Sequence, residues 1–193
     1  MSSTTARNGT GQAPASMAGR STVYAPHGIV AAPQPLAAQA GLAVLQRGGN
    51  AIDAAVTTAA VLSLVEPMMS GIGGDLFAIL WSAKERRLIG LNASGRAGSL
   101  VTLDVLRKKG LTKMPSNGAV TITVPGALSG WAALLSRFGT MTLARALAPA
   151  IKLARDGFPV SPLIAREWAV FSESFKADPT FRETFLVEGS HAP

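Results

Sequence analysis

The first residues that could do chemistry are Gly71, Gly73 and Gly74 in "EPMMSGIGGDLFAILW" (66–81), followed at once by Asp75. Glycines packed this closely let another group approach the backbone. A phosphate-cradling loop is excluded by the order of the elements. Such loops run from a strand, through glycines, to a helix N-terminus. Here an apolar helical run precedes the glycines and a strand follows them. Counting on from Gly71-x-Gly73, Leu76 stands where a third glycine belongs, and there is no Gly-Lys-Ser/Thr. The remaining reading is a tight entry into a buried strand with neighbouring backbone packed close. Asp75 reads as structural, with lining a site as the alternative.

Arg96 is a second candidate, in "NASGRAG" (92–98) directly after a strand. A guanidinium on a Gly-flanked loop can hold a carboxylate through two parallel hydrogen bonds. A plain surface arginine in a turn is the alternative. Other chemistries find no support. "GALSGW" (126–131) lacks the spacing of a serine nucleophile elbow. His27 and His191 are the only histidines, without HExxH spacing, so neither a Ser-His-Asp triad nor a histidine-rich metal site is expected. With no cysteine, disulfides and thiolate metal sites are excluded.

Composition narrows the class further. Apolar residues make up 48% and charged residues 15%, which favours a packed core over disorder. The net charge of +7 is scattered, and its densest clusters ("KERR", "RKKG") are short. No basic stripe with interleaved aromatics supports nucleic-acid binding. The longest apolar stretch, 54–65, is too short to cross a bilayer and contains Thr57, Thr58 and Ser63. Residues 1–22 are mostly Ser, Thr, Gly and Ala without an apolar targeting core, so they read as a flexible leader to a cytoplasmic, soluble protein. Residues 23–193 read as a single domain.

The elements that must position Gly71–Asp75 and Arg96 follow from pattern and punctuation. "GIVAAPQP" predicts a short strand over 29–32, stopped by Pro33. Pro35 then opens a helix with Leu36, Ala40 and Val44 on one face, capped by Gly48. Asn50 caps the next helix, with Asp53 in its first turn and Pro67 ending it; apolar nearly all round, this helix should be buried. "LFAILW" and "RLIGLN" around the polar "SAKER" predict an antiparallel hairpin. The unbroken apolar run of its first strand predicts that both faces are covered. Thr102 and Asp104 start a short helix ending at Gly110, and "AVTITV" (119–124) predicts a strand. Residues 127–139 predict a helix with Leu128, Trp131, Leu134 and Leu135 inward. The helix over 141–159 is expected to break near Pro149. Ser161-Pro162 opens another, and the tail from Ala177 reads as loop.

Two long blocks, in order, carry a resemblance. "GIVAAPQPLAAQAGLAVLQRGGNAIDAAVTTAAVLSLVEPMMSGIGGDLFAILW" and "TVPGALSGWAALLSRFGTMTLARALAPAIKLARDGFPVSP" closely resemble the start of the gamma-glutamyltranspeptidase family, over about residues 27 to 185. The resemblance implies an α+β fold: part of the four-layer αββα sandwich of the N-terminal-nucleophile hydrolases, incomplete in this chain. It implies a precursor that cleaves itself into a large and a small subunit. The small subunit's new N-terminal threonine then attacks an amide carbonyl, with its own α-amine as base. A γ-glutamyl group, from glutathione for example, passes to water or to an amino acid, with no metal or organic cofactor.

Carried over residue by residue, Arg96 matches the family arginine that grips the α-carboxylate of the γ-glutamyl group. The nucleophile matches nothing here, because it belongs to the small subunit. The expected partners are thus a small amide substrate, the remainder of the large subunit and the small subunit, and this chain alone is expected to be inactive. The loop also departs from the family pattern. The usual Phe-Arg-Glu-x-Ala-Pro is replaced by Ser94-Gly95-Arg96-Ala97-Gly98. Relatives with a similar loop include amidohydrolases and acylases, which leaves a non-glutamyl amide as the alternative substrate.

Overall fold

The computed structural model describes residues 22–193; the expected leader over 1–22 falls almost wholly outside them. Helix α1 spans Pro35–Gln46. The Gln34 side chain accepts the Leu36 N–H at 2.6 Å, and Pro35 supplies a preset first turn. Of the predicted face, Val44 is buried and Leu36 and Ala40 are half-buried against the core; the buried face runs through Ala37, Gly41 and Val44. Those small residues let α1 lie tightly on helix α2, Ala51–Val65: a Cβ on Gly41 would sit 2.1 Å from Thr58 Oγ1. As predicted, α2 is buried. Val56, Val61 and Val65 are fully buried, and α1, α4 (Ala127–Phe138) and α5 (Leu143–Asp156) all pack against it.

The hairpin forms as predicted. Strand β1, Leu76–Ser82, pairs antiparallel with β2, Arg87–Ala93, placing Leu76 opposite Ala93 and Ser82 opposite Arg87. One face of it, Leu76, Ala78, Leu80 and Leu91, packs against Trp131, Leu134 and Leu135 of helix α4, Ala127–Phe138. The expectation of two covered faces is corrected. Phe77, Ile79, Trp81 and Leu88 on the other face are 61% to 82% exposed, because the described residues supply only one helical layer. Leu128, expected inward on α4, is also exposed.

Two predicted strands do not form. Residues 29–32 carry no regular secondary structure, and the sheet among the described residues contains only β1 and β2. Over 119–124 there is a 3-10 turn, Ala119–Thr121, and then a single bridge between Thr123 and Ala97. A short loop is the only partner there, and Pro125 brings no N–H to extend the ladder.

Two departures concern helices. Helix α5, Leu143–Asp156, runs straight through Pro149. Its Ala146, Leu147, Ala150 and Leu153 are packed into the core around α2, and that burial outweighs the lost hydrogen bond. The tail read as loop contains helix α7, Pro179–Phe185. Asp178 accepts the Phe181 N–H at 3.0 Å, and an aromatic row Phe171–Phe175–Phe181–Phe185, with centroids 5.0 to 5.5 Å apart, ties α7 to α6, Pro162–Ser172. The remaining short helix, α3, is Leu103–Lys108.

Candidate active-site loop

β2 ends at Ala93, and the next residues turn across the start of β1. What holds them there is Asp75. Its carboxylate accepts the Gly95 N–H at 3.0 Å, the Thr123 hydroxyl at 2.9 Å and the Ser94 hydroxyl at 3.1 Å. The Gly95 N–H, then the Thr123 and Ser94 hydroxyls, hold the Asp75 carboxyl below the ordinary carboxylate range, so it is ionised at neutral pH. The Asn92 side chain adds an Asx turn by accepting the Ser94 N–H at 2.9 Å.

The loop is clamped from its other side by residues 123–127. Val124 N–H donates to Arg96 O at 2.9 Å. The approach is very close: a Cβ on Gly95 would lie 1.6 Å from Val124 O, and one on Gly126 2.0 Å from Ala93 O. Glycine is therefore required at both positions, as it is wherever two backbones meet at this range. The aromatic residue that the resemblance would have placed at 95 cannot fit this path.

Arg96 itself is exposed and lines a shallow cleft of about 270 Å³ with Ser94, Val124, Gly126 and Ser129. None of the five ion pairs among the described residues includes Arg96. Arg96 thus combines a held backbone with a guanidinium that has no ion-pair partner among the described residues and borders an open cleft, and a guanidinium has the donor geometry to pair with a carboxylate. The described residues contain no cluster of three metal-ligating side chains, and no helix long and apolar enough to cross a membrane. Neither histidine lines the Arg96 cleft.

The glycine run has a narrower role than the sequence suggested. Gly74 O accepts the Gly126 and Ala127 N–H groups at 3.0 and 2.9 Å, fixing the start of α4 on the entry to β1. Gly71 and Gly73, by contrast, have nothing within 4 Å of an added Cβ and no positive φ. Asp75 turns out to be the centre of the arrangement. Thr123 lies 48 residues from Asp75 in sequence, a separation that no local pattern exposes. The only hint of it was the abrupt end of "AVTITV" at Pro125-Gly126.

Comparison with known proteins identifies the fold and the family. The fold is that of N-terminal-nucleophile hydrolases of the transpeptidase and acylase type, represented here by an incomplete α+β portion. A cephalosporin acylase from Bacillus halodurans superposes with a TM-score of 0.76 at 43% identity, over 83% of this chain and 31% of that one. The family model described as gamma-glutamyltranspeptidase matches residues 37–193, and the chain belongs to that family. The glutathione hydrolase-like YwrD proenzyme of Bacillus subtilis (strain 168) is 44% identical over 162 residues, covering 83% of this chain and 30% of the relative. The oxamate amidohydrolase proenzyme of Klebsiella pneumoniae is 41% identical over 169 residues, covering 84% of this chain and 31% of the relative. The chain thus spans less than a third of the length of these relatives.

Proposed function

We propose that these residues form the carboxylate-recognising side of an amide-cleaving enzyme that hydrolyses or transfers a γ-glutamyl or related acyl group. The observation that carries this reading is Arg96: an unpaired guanidinium on a loop pinned by Asp75 and Val124, open to a cleft. Arg96 holds a carboxylate of the acyl donor and so orients its amide. Orienting the reacting groups in this way lowers the barrier by removing motional freedom before reaction. The bond is broken by an N-terminal threonine carried outside these 193 residues, in the small subunit of a self-cleaving precursor. Substrate binding therefore needs the large subunit's Arg96 and catalysis the other subunit. These 193 residues by themselves are inactive.

A second reading within the family is an acylase or amidohydrolase acting on a non-glutamyl amide. The loop favours it, because Gly95 leaves no room for the aromatic of the Phe-Arg-Glu pattern. The names of the relatives point the same way, since they include an oxamate amidohydrolase and a cephalosporin acylase. The test is to offer γ-glutamyl, glutaryl and oxamate-type amides to the complete protein that contains this chain. Cleavage of at least one, with Arg96→Ala raising KM for it, is the expected result. No cleavage of any of the three, or unchanged kinetics in Arg96→Ala, would overturn the assignment.

A further inference from the structure

Arg96 cannot position itself. Its side chain has no partner among the described residues, and its loop is flanked by glycines, the residues with most backbone freedom. Beside the Val124 clamp and the Asn92 turn, the restraint that ties this loop to the entry of β1 is one side chain. Asp75 stands at the entry to β1, whereas its donors come from two other places: Ser94 and Gly95 from the loop after β2, and Thr123 from the segment before α4. Three pieces of chain far apart in sequence thus converge on one carboxylate. A carboxylate has two oxygens and four lone-pair sites, so it can accept all three bonds at once. A neutral amide could keep the Gly95 and Thr123 bonds through its oxygen and donate to the Ser94 hydroxyl, but it would lose the charge that strengthens all three.

We propose that Asp75 is a positioning residue for Arg96, fixing the loop that presents the guanidinium and so setting the preference for carboxylate-bearing acyl amides over neutral ones. The proposal rests on the carboxylate-binding reading of Arg96 given above. Asp75 acts one residue away from the charge it places: it holds the Gly95 N–H, and the Val124 N–H holds Arg96 O. Without Asp75 the Val124 clamp and the Asn92 turn remain, but the Ser94–Gly95 segment loses its tie to the entry of β1 and to Thr123. The guanidinium then samples more of the cleft, and each donor molecule must order it on binding. This is a cost in affinity for one class of substrate, with the chemical step unaltered.

The experiment uses the complete enzyme and two anilides, one with a γ-glutamyl or glutaryl group and one with a neutral acyl chain of the same length. Asp75→Ala should raise KM for the carboxylate-bearing anilide about tenfold, the worth of one charge-assisted hydrogen bond, with kcat and the neutral anilide little changed. Asp75→Asn should raise that KM by less, because an amide keeps the connections and loses only the charge. The double variant Asp75→Ala/Arg96→Ala should be no worse than Arg96→Ala alone, since a positioning residue has nothing left to position. Should Asp75→Ala fail to fold, Thr123→Val removes one bond and must shift KM in the same direction by less. Equal KM changes for both anilides, or additive effects in the double variant, would overturn the role of Asp75. If Arg96→Ala discriminates between the anilides and Asp75→Ala and Thr123→Val do not, the carboxylate site stands and only the inference about Asp75 fails. If Arg96→Ala does not discriminate either, both readings fall together.

Discussion

Two aspartates organise this chain, and their surroundings differ. Asp53 is fully buried at the start of α2. It accepts the Asn50 N–H at 2.9 Å in a capping box, and the Thr140 and Met141 N–H groups and the Thr140 hydroxyl at 2.6 to 3.0 Å. Asn50 adds a bond from its side-chain amide to Phe138 O. Together they nail the connection between α4 and α5 onto the central helix. Asp75 makes a network of the same kind, backbone N–H plus hydroxyls, but at an exposed loop. The chemistry of the two is nearly identical. Burial separates their consequences: the Asp53 carboxylate is buried and its bonds are partly shielded from water, whereas the Asp75 bonds are exposed and water can replace a lost partner. The first network should therefore govern stability, and the second the placement of Arg96.

The largest expected effect tests the buried side of that contrast. Asp53→Ala should destabilise the protein by about 3 kcal/mol, because it removes one fully buried acceptor that holds part-buried bonds from Asn50, Thr140 and Met141 at once. Urea unfolding of the complete protein reads this out, and a loss below about 1 kcal/mol would erase the distinction between the two aspartates.

Next is Arg96→Ala, expected to weaken binding of a carboxylate-bearing donor by about 1.5 to 3 kcal/mol without altering thermal stability. Steady-state KM paired with a melting curve separates the two. Gly95→Ala should cost about 1 to 3 kcal/mol in stability through its collision with Val124 O, and should raise KM as the loop shifts. A fully active, fully stable Gly95→Ala would mean that the two backbones are not held this close.

Acidification sharpens the comparison further. Burial pushes the Asp53 carboxyl up, but the bonds from the Thr140 hydroxyl and from the Asn50, Thr140 and Met141 N–H groups outweigh it and leave its pKa below the ordinary value. A depressed folded pKa contributes stability that is present above the unfolded carboxylate range and is lost as pH falls through the folded value. Stability measured from neutral pH down through that range should therefore decline less steeply in Asp53→Asn than in the parent protein. The smallest expected effect is Gly73→Ala. With nothing within 4 Å of the added methyl and an ordinary φ, it should change stability by no more than about 0.5 kcal/mol. A large loss would show that a segment outside the described residues packs on Gly73.

Much of this was open to inspection in the chain itself. Asn50 three residues before Asp53, Thr102 before Asp104 and Ser161 before Pro162 mark helix starts through local hydrogen bonding, and all three form. The hairpin followed from two apolar runs around a polar turn. Two long blocks resembling one family carried the fold class and pointed to Arg96. These features depend on neighbours within a few residues, or on a pattern spread over the whole chain, and a linear reading has access to both.

Tertiary structure decided the rest, because it depends on which distant segments meet. Pro149 sits inside a helix because Ala146 and Ala150 are buried against α2. "AVTITV" has the residues of a strand but finds only the Arg96 loop to pair with, so it yields one bridge. One face of β1 stays open because the described residues place helices on the other face only. The same holds for the two aspartates. Sequence alone could place Asp53 in a helix's first turn and Asp75 after a glycine run. It could not show that Thr140 would reach the first and Thr123 the second. Those contacts span 87 and 48 residues, and only the packed chain brings them within hydrogen-bonding distance.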